Sequence, residues 1–139
     1  IFFGVLDPAT GVLTYINGGH EPAYVIGPTG GVKAQLFPPG PAVGLDTEFE
    51  FGVRQITLEP GESILSFSDG VPDAVNTQAE SFTFDRLIAL LEQPASSAAG
   101  LLERIRVNVW DHIGSAHQFD DITMLAARRV DGASAAQSS

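Results

Sequence analysis

The sequence predicts an α+β fold in which antiparallel strands come first, helices follow, and a single strand closes the domain. Three observations carry this. Residues 1–69 hold short apolar runs separated by Gly- and Pro-rich turns, the mark of consecutive antiparallel strands. Between residues 84 and 113 the apolar spacing changes to three and four, the period of a helix. A last apolar run, Ile122–Ala126, then returns to strand character. Strands and helices segregated in this way pack as helices on a sheet face.

Ile1-Phe2-Phe3-Gly4-Val5-Leu6 reads as a buried strand with no polar lead-in, so the chain is expected to open in the middle of a domain. Asp7-Pro8-Ala9-Thr10-Gly11 is turn chemistry, and Val12–Asn17 returns to complete a hairpin. Ala23–Ile26 and Val32–Leu36 flank Pro28-Thr29-Gly30-Gly31 as a second hairpin. Residues 37–46, with three Pro and two Gly, predict an ordered loop. Phe49–Leu58 alternates as a half-buried strand, and Glu59-Pro60-Gly61-Glu62 turns into the strand that ends at Asp69. Phe84, Leu87, Ile88, Leu90 and Leu91 predict one helix stopped by Pro94. Ser96 or Ser97 caps a second, with Leu101, Leu102, Ile105, Val109 and Ile113 on its apolar face and Gly114 at its end. Asp120–Arg129 is expected to be the closing strand. The domain thus covers residues 1–130, and 131–139 is a small-residue tail expected to be disordered.

Composition narrows the function. Seventeen acidic residues against seven basic ones give a net charge of −10, which opposes binding to nucleic acid or anionic lipid. No apolar run reaches the roughly 20 residues that span a bilayer. With no cysteine there are no disulfides or thiolate metal sites, which accords with a reducing cytoplasm. A carboxylate surplus suits Mg²⁺ or Mn²⁺, which prefer oxygen ligands.

Two stretches concentrate chemistry. In Ile64-Leu65-Ser66-Phe67-Ser68-Asp69-Gly70, an apolar strand delivers a carboxylate to its exposed end, and Gly70 permits a tight turn and close approach. In Gln118-Phe119-Asp120-Asp121-Ile122-Thr123, paired acids stand directly before an apolar strand. Each alone reads equally as a turn or a solvated strand end. Together they suggest two strands that bring carboxylates to one place, able to hold a hard cation or position a base. His20, after Gly18-Gly19, reads first as a backbone-bonded loop residue and second as a ligand or general acid. His112 sits at a helix C-terminus with no assigned role, and His117 is expected on the surface. Ser68 lies in no G-x-S-x-G elbow, so it is not expected to act as a nucleophile.

Phe3–Asp7, Leu13–His20, the Pro60-Gly61-Glu62 turn, Ser68-Asp69-Gly70-Val71 and Gln118…Asp120-Asp121-Ile122-Thr123 occur in order. That series resembles the C-terminal two-thirds of the SpoIIE-type bacterial phosphatases, within the PPM (type 2C-like) metal-dependent protein phosphatases. The resemblance implies an α-β-β-α sandwich with a binuclear Mn²⁺ or Mg²⁺ centre, and hydrolysis of phosphoserine or phosphothreonine on a protein. It implies as substrate an anti-anti-sigma (STAS-type) protein, with an N-terminal sensory or regulatory domain in the parent chain. By position, Asp69 and Asp120 match metal-ligating aspartates, with Gly70 beside the first. Asp121, where relatives often have Asn, ranks second. The family pattern also has an upstream segment with a bridging Asp-Gly that these residues do not include. The 139 residues alone are therefore expected to be inactive, and the alternative reading is a catalytically incomplete module that binds a partner or senses a signal. Open strand edges would also allow a homodimer. Glu21, Pro72-Asp73 and Thr83 depart from the family pattern, the last standing where Gly is common.

Overall fold

The computed structural model describes residues 1–118 and 120–130. Among them are seven strands and two helices: β1 (Phe2–Leu6), β2 (Val12–Asn17), β3 (Ala23–Ile26), β4 (Val32–Leu36), β5 (Arg54–Thr57), β6 (Ser63–Phe67), α1 (Phe84–Leu91), α2 (Ala98–Ile113) and β7 (Met124–Arg128). They form two antiparallel sheets, β1-β2-β5 and β4-β3-β6-β7. Both expected hairpins are present, β1 with β2 and β3 with β4.

The alternation within β3 and β6 explains the layering. Ala23, Val25 and Ile64 face the first sheet and join Leu13, Tyr15, Leu36 and Leu58 in an inter-sheet core. Tyr24, Ile26, Leu65 and Phe67 point the other way, under Leu87 and Leu91 of α1 and Leu101, Ile105, Val109 and Ile113 of α2. The α2 residues recur every fourth position, so one stripe of the helix is buried. Full burial of each such side chain stabilises the fold by about 1.5–3 kcal/mol. The Ser97 Oγ accepts the Gly100 N–H at 3.0 Å to cap α2, and Gly114 ends it at φ 56°.

Glu62 is buried where β6 begins. Its carboxylate accepts the Lys33 ammonium at 2.8 Å and the Glu59 N–H at 2.8 Å, closing the Pro60-Gly61 turn. The direction of β6 is fixed at that point.

Three expectations need correction. The first strand is not buried: Phe3 and Val5 are 62% and 60% exposed, because no element among the described residues covers the outer face of its sheet. The strand expected over 49–58 is confined to Arg54–Thr57. Phe49 and Phe51 pack on each other instead, with ring centroids 4.9 Å apart. The closing strand begins at Met124 rather than Asp120. The expected tail, 131–139, lies outside the described residues.

Candidate active site

β3 and β6 are antiparallel, with Tyr24 opposite Leu65, and β6 and β7 are antiparallel, with Phe67 opposite Met124. The end of β6 and the starts of β3 and β7 therefore share one end of the sheet. Asp69 follows β6 there, and Asp120 and Asp121 precede β7; all three are exposed. The strand ends are held firmly from below. Phe67 is 2% exposed and meets Tyr24 edge to face at 5.4 Å.

Ser68 is the last ladder residue, its N–H donating to the Thr123 carbonyl at 2.9 Å. The chain then turns sharply: the Val71 N–H donates to Ser68 O at 3.1 Å, and the Asp73 N–H to Asp69 O at 3.0 Å. Val71 is fully buried and anchors the turn. Gly70 does not take a left-handed φ. It is needed for a different reason: a Cβ there would lie 2.3 Å from the Asp121 carbonyl oxygen. The close approach expected of Gly70 is thus to the neighbouring acidic segment.

The turn brings Asp73 back to a cleft of about 300 Å³ that it shares with Gly70, Val75, Ile113, Gln118 and Asp120. Asp120 Oδ1 accepts the Asp121 N–H at 2.8 Å, and the Gln118 side-chain amide donates to Asp120 O at 2.6 Å. The first bond orients the Asp120 carboxylate and the second holds its backbone carbonyl, and the strand pattern begins only at Met124. Carboxylates of this kind suit Mg²⁺ or Mn²⁺. Their number is short: among the described residues no three His, Cys, Asp or Glu side chains converge as a metal-holding group.

His20 stands at the same sheet end, before β3, but does not line this cleft. Its N–H donates to Asn17 Oδ1 at 2.9 Å, and its ring Nδ1 lies 2.9 Å from Glu21 O. A carbonyl can only accept, so Nδ1 carries the proton and Nε2 is the basic nitrogen. The glycines before it seat a loop: Cβ atoms at Gly18 and Gly19 would fall 2.3 Å from Val43 Cγ2 and from Ala42 Cα. His112 pins the segment after the cleft, Nε2 lying 2.9 Å from Glu80 O and Nδ1 2.6 Å from Arg86 Nη1. His117 is exposed, as expected.

Sequence reasoning missed Asp73 and the contacts of Ser68. For Asp73 a signal existed: it is four residues past Asp69, one helical turn away. Thr83 adopts φ 73° and ψ 155°, a region populated almost only by glycine.

Comparison with known proteins agrees with this architecture. The family model described as Stage II sporulation protein E (SpoIIE) matches residues 1–130. Protein IcfG of Synechocystis sp. is 39% identical over 129 residues, covering 93% of this chain and 20% of that protein. Phosphoserine phosphatase RsbU of Bacillus subtilis is 27% identical over 121 residues, covering 84% of this chain and 34% of that protein. The phosphatase domain of the cell fate determinant SpoIIE from Bacillus subtilis superposes with a TM-score of 0.69 at 15% identity, over 95% of this chain and 59% of that one. The chain thus spans between a fifth and a third of these two curated relatives. With a family match from end to end of the described fold, the chain belongs to the SpoIIE family, and its two sheets and helical layer share the fold of the solved SpoIIE phosphatase domain.

Proposed function

We propose that this chain forms the C-terminal part of a metal-dependent protein serine/threonine phosphatase domain, in which Asp69 and Asp120 hold a divalent cation. The observation that carries this is the convergence of the β6 and β7 ends, which bring two acidic segments into backbone contact beside a cleft of about 300 Å³. Asp121 is the second-ranked ligand. When bound, Mn²⁺ or Mg²⁺ would supply an activated water and neutralise phosphoryl oxygens. This chain's own residues do the rest. Gly70 lets the acidic segments meet, the Asp120 carboxylate is oriented by the Asp121 N–H, and His20 Nε2 offers a base or hydrogen-bond acceptor at the same sheet end. The substrate is a phosphorylated regulatory protein of the anti-anti-sigma type, met in the cytoplasm and selected by a regulatory domain elsewhere in the parent chain. No helix among the described residues is long and apolar enough to cross a membrane.

A second reading, a phosphatase-like module that binds a partner without turnover, draws support from the absence of a three-residue metal cluster among the described residues. Asp69→Asn in the full-length parent separates the two. The enzyme reading expects at least a ~10²-fold loss of Mn²⁺-dependent turnover, through the lost ligand or its geometry. Turnover equal to wild type at saturating Mn²⁺ would refute the role of Asp69.

A further inference from the structure

The two acidic segments are joined by one side chain that carries no charge. Ser68 Oγ donates to the Asp121 carbonyl at 2.9 Å and accepts the Thr123 N–H at 3.0 Å. Its own N–H donates to Thr123 O at 2.9 Å, so Ser68 alone makes three bonds to the segment that leads from Asp120 into β7. Among the described residues no other side-chain hydrogen bond crosses between these segments. Past Ser68 the ladder stops, because the Val71 N–H returns to Ser68 O and the chain turns away. The hydroxyl therefore acts at the point where backbone pairing can no longer hold Asp69 and Asp120–Asp121 in register.

A hydroxyl engaged as donor and acceptor in this way is committed to the backbone. It is not presented for attack on phosphorus or carbon. Its effect is geometric: it holds the Asp121 carbonyl against Gly70, where only a residue lacking Cβ fits.

We propose that Ser68 is a positioning residue, whose hydroxyl fixes the spacing of Asp69 from Asp120 and Asp121 and thereby sets the affinity of this end of the sheet for a divalent cation. The cation part rests on the assignment of Asp69 and Asp120 as ligands; the spacing part stands on hydrogen bonds within this chain.

The test compares wild type, Ser68→Ala and Ser68→Thr in the full-length parent chain. Hydrogen exchange is followed at the Thr123 amide, and Mn²⁺ binding by calorimetry. In Ser68→Ala the Thr123 amide loses its acceptor and should exchange about 5-fold faster, the effect of losing one ordinary hydrogen bond. Mn²⁺ should bind about 10–100-fold more weakly, the usual effect of removing a group that orients ligands. Ser68→Thr keeps the hydroxyl and should restore both. Unchanged exchange in Ser68→Ala overturns the proposal. So does faster exchange with Mn²⁺ affinity equal to wild type, because the hydroxyl would then position nothing that matters. A wild-type chain that binds no Mn²⁺ removes the ligand assignment instead. The exchange comparison then judges the spacing role alone, faster exchange supporting it and equal exchange overturning it.

Discussion

Gly70→Ala is the perturbation whose outcome the structure predicts most sharply. The new Cβ would lie 2.3 Å from Asp121 O, 3.0 Å from Asp121 C and 3.4 Å from Ile122 Cγ1. The two nearest atoms are backbone, so no flexible side chain can swing aside. Restoring an ordinary contact requires the Asp121 carbonyl to retreat by about 1 Å, and overpacking of this kind costs about 1–3 kcal/mol. The same retreat opens the 2.9 Å Ser68–Asp121 bond, which costs about 1 kcal/mol more. Because Gly70 is not in the left-handed region, no strain term is added, and alanine's lower entropy in the unfolded chain returns roughly 0.4–1 kcal/mol. The balance is a destabilisation of about 2 kcal/mol. For a chain of 139 residues, with an unfolding entropy of about 2.1 cal/mol/K per residue, that lowers Tm by about 7 °C. Thermal unfolding followed by circular dichroism measures it. Gly52→Ala is the control, since a Cβ there meets nothing within 4 Å. A Gly70→Ala Tm within about 1 °C of the Gly52→Ala control would refute the claim that the two acidic segments touch through Gly70.

Two further predictions follow from local strain and burial. Thr83→Gly should stabilise the chain. It relieves a φ of 73° with ψ of 155°, a strain of about 1–3 kcal/mol, against a glycine entropy penalty of roughly 0.5–1 kcal/mol. The net gain of about 1 kcal/mol moves the urea midpoint up by about 0.5 M for a typical slope near 2 kcal/mol/M; a lower midpoint would mean that Thr83 is not strained. Tyr24 should ionise above the ordinary tyrosine value near 10, chiefly because it is buried and secondarily because of the Glu21 charge. Its folded-state pKa is raised, so the unfolded chain loses the proton first. Stability is full below about pH 10 and falls as pH rises through the folded value. Ultraviolet titration should show Tyr24→Phe removing the late phase and Glu21→Gln moving it earlier; a late phase that survives in Tyr24→Phe would assign it elsewhere.

Elements set by local chemistry were legible in the sequence, and elements set by what lies across from them were not. Helix α2 was readable from end to end, because its cap, its four-residue stripe and its terminal glycine are all properties of adjacent residues. The hairpins were readable from their turns. The exposure of β1 was not, since Phe2-Phe3-Gly4-Val5-Leu6 is apolar on both faces and only the neighbouring layer decides which face is covered. Phe49 and Phe51 alternate like strand residues, yet their rings found each other and Gly40, whose missing Cβ leaves space that the Phe49 ring fills. Asp120 was read as the first strand residue, although its carboxylate captures the next N–H and the chain bends there instead.

The same division runs through Ser68-Asp69-Gly70. Asp69 was legible as a carboxylate at a strand end, because exposure follows from where the apolar run stops. The duties of its two neighbours were not, since they are carried out against residues more than fifty positions away. Each duty selects a small residue for a separate physical reason. Two backbones that approach as closely as 70 and 121 leave no room for a Cβ, so position 70 must be glycine. The Asp121 carbonyl and the Thr123 N–H, left by the ladder at its last rung, need one short group that both donates and accepts. A serine hydroxyl does this, whereas a carboxylate at neutral pH can only accept and an ammonium can only donate. The middle residue of the three is thus the one whose side chain these contacts do not engage, and it stands exposed at the end of the sheet where a ligand can reach it.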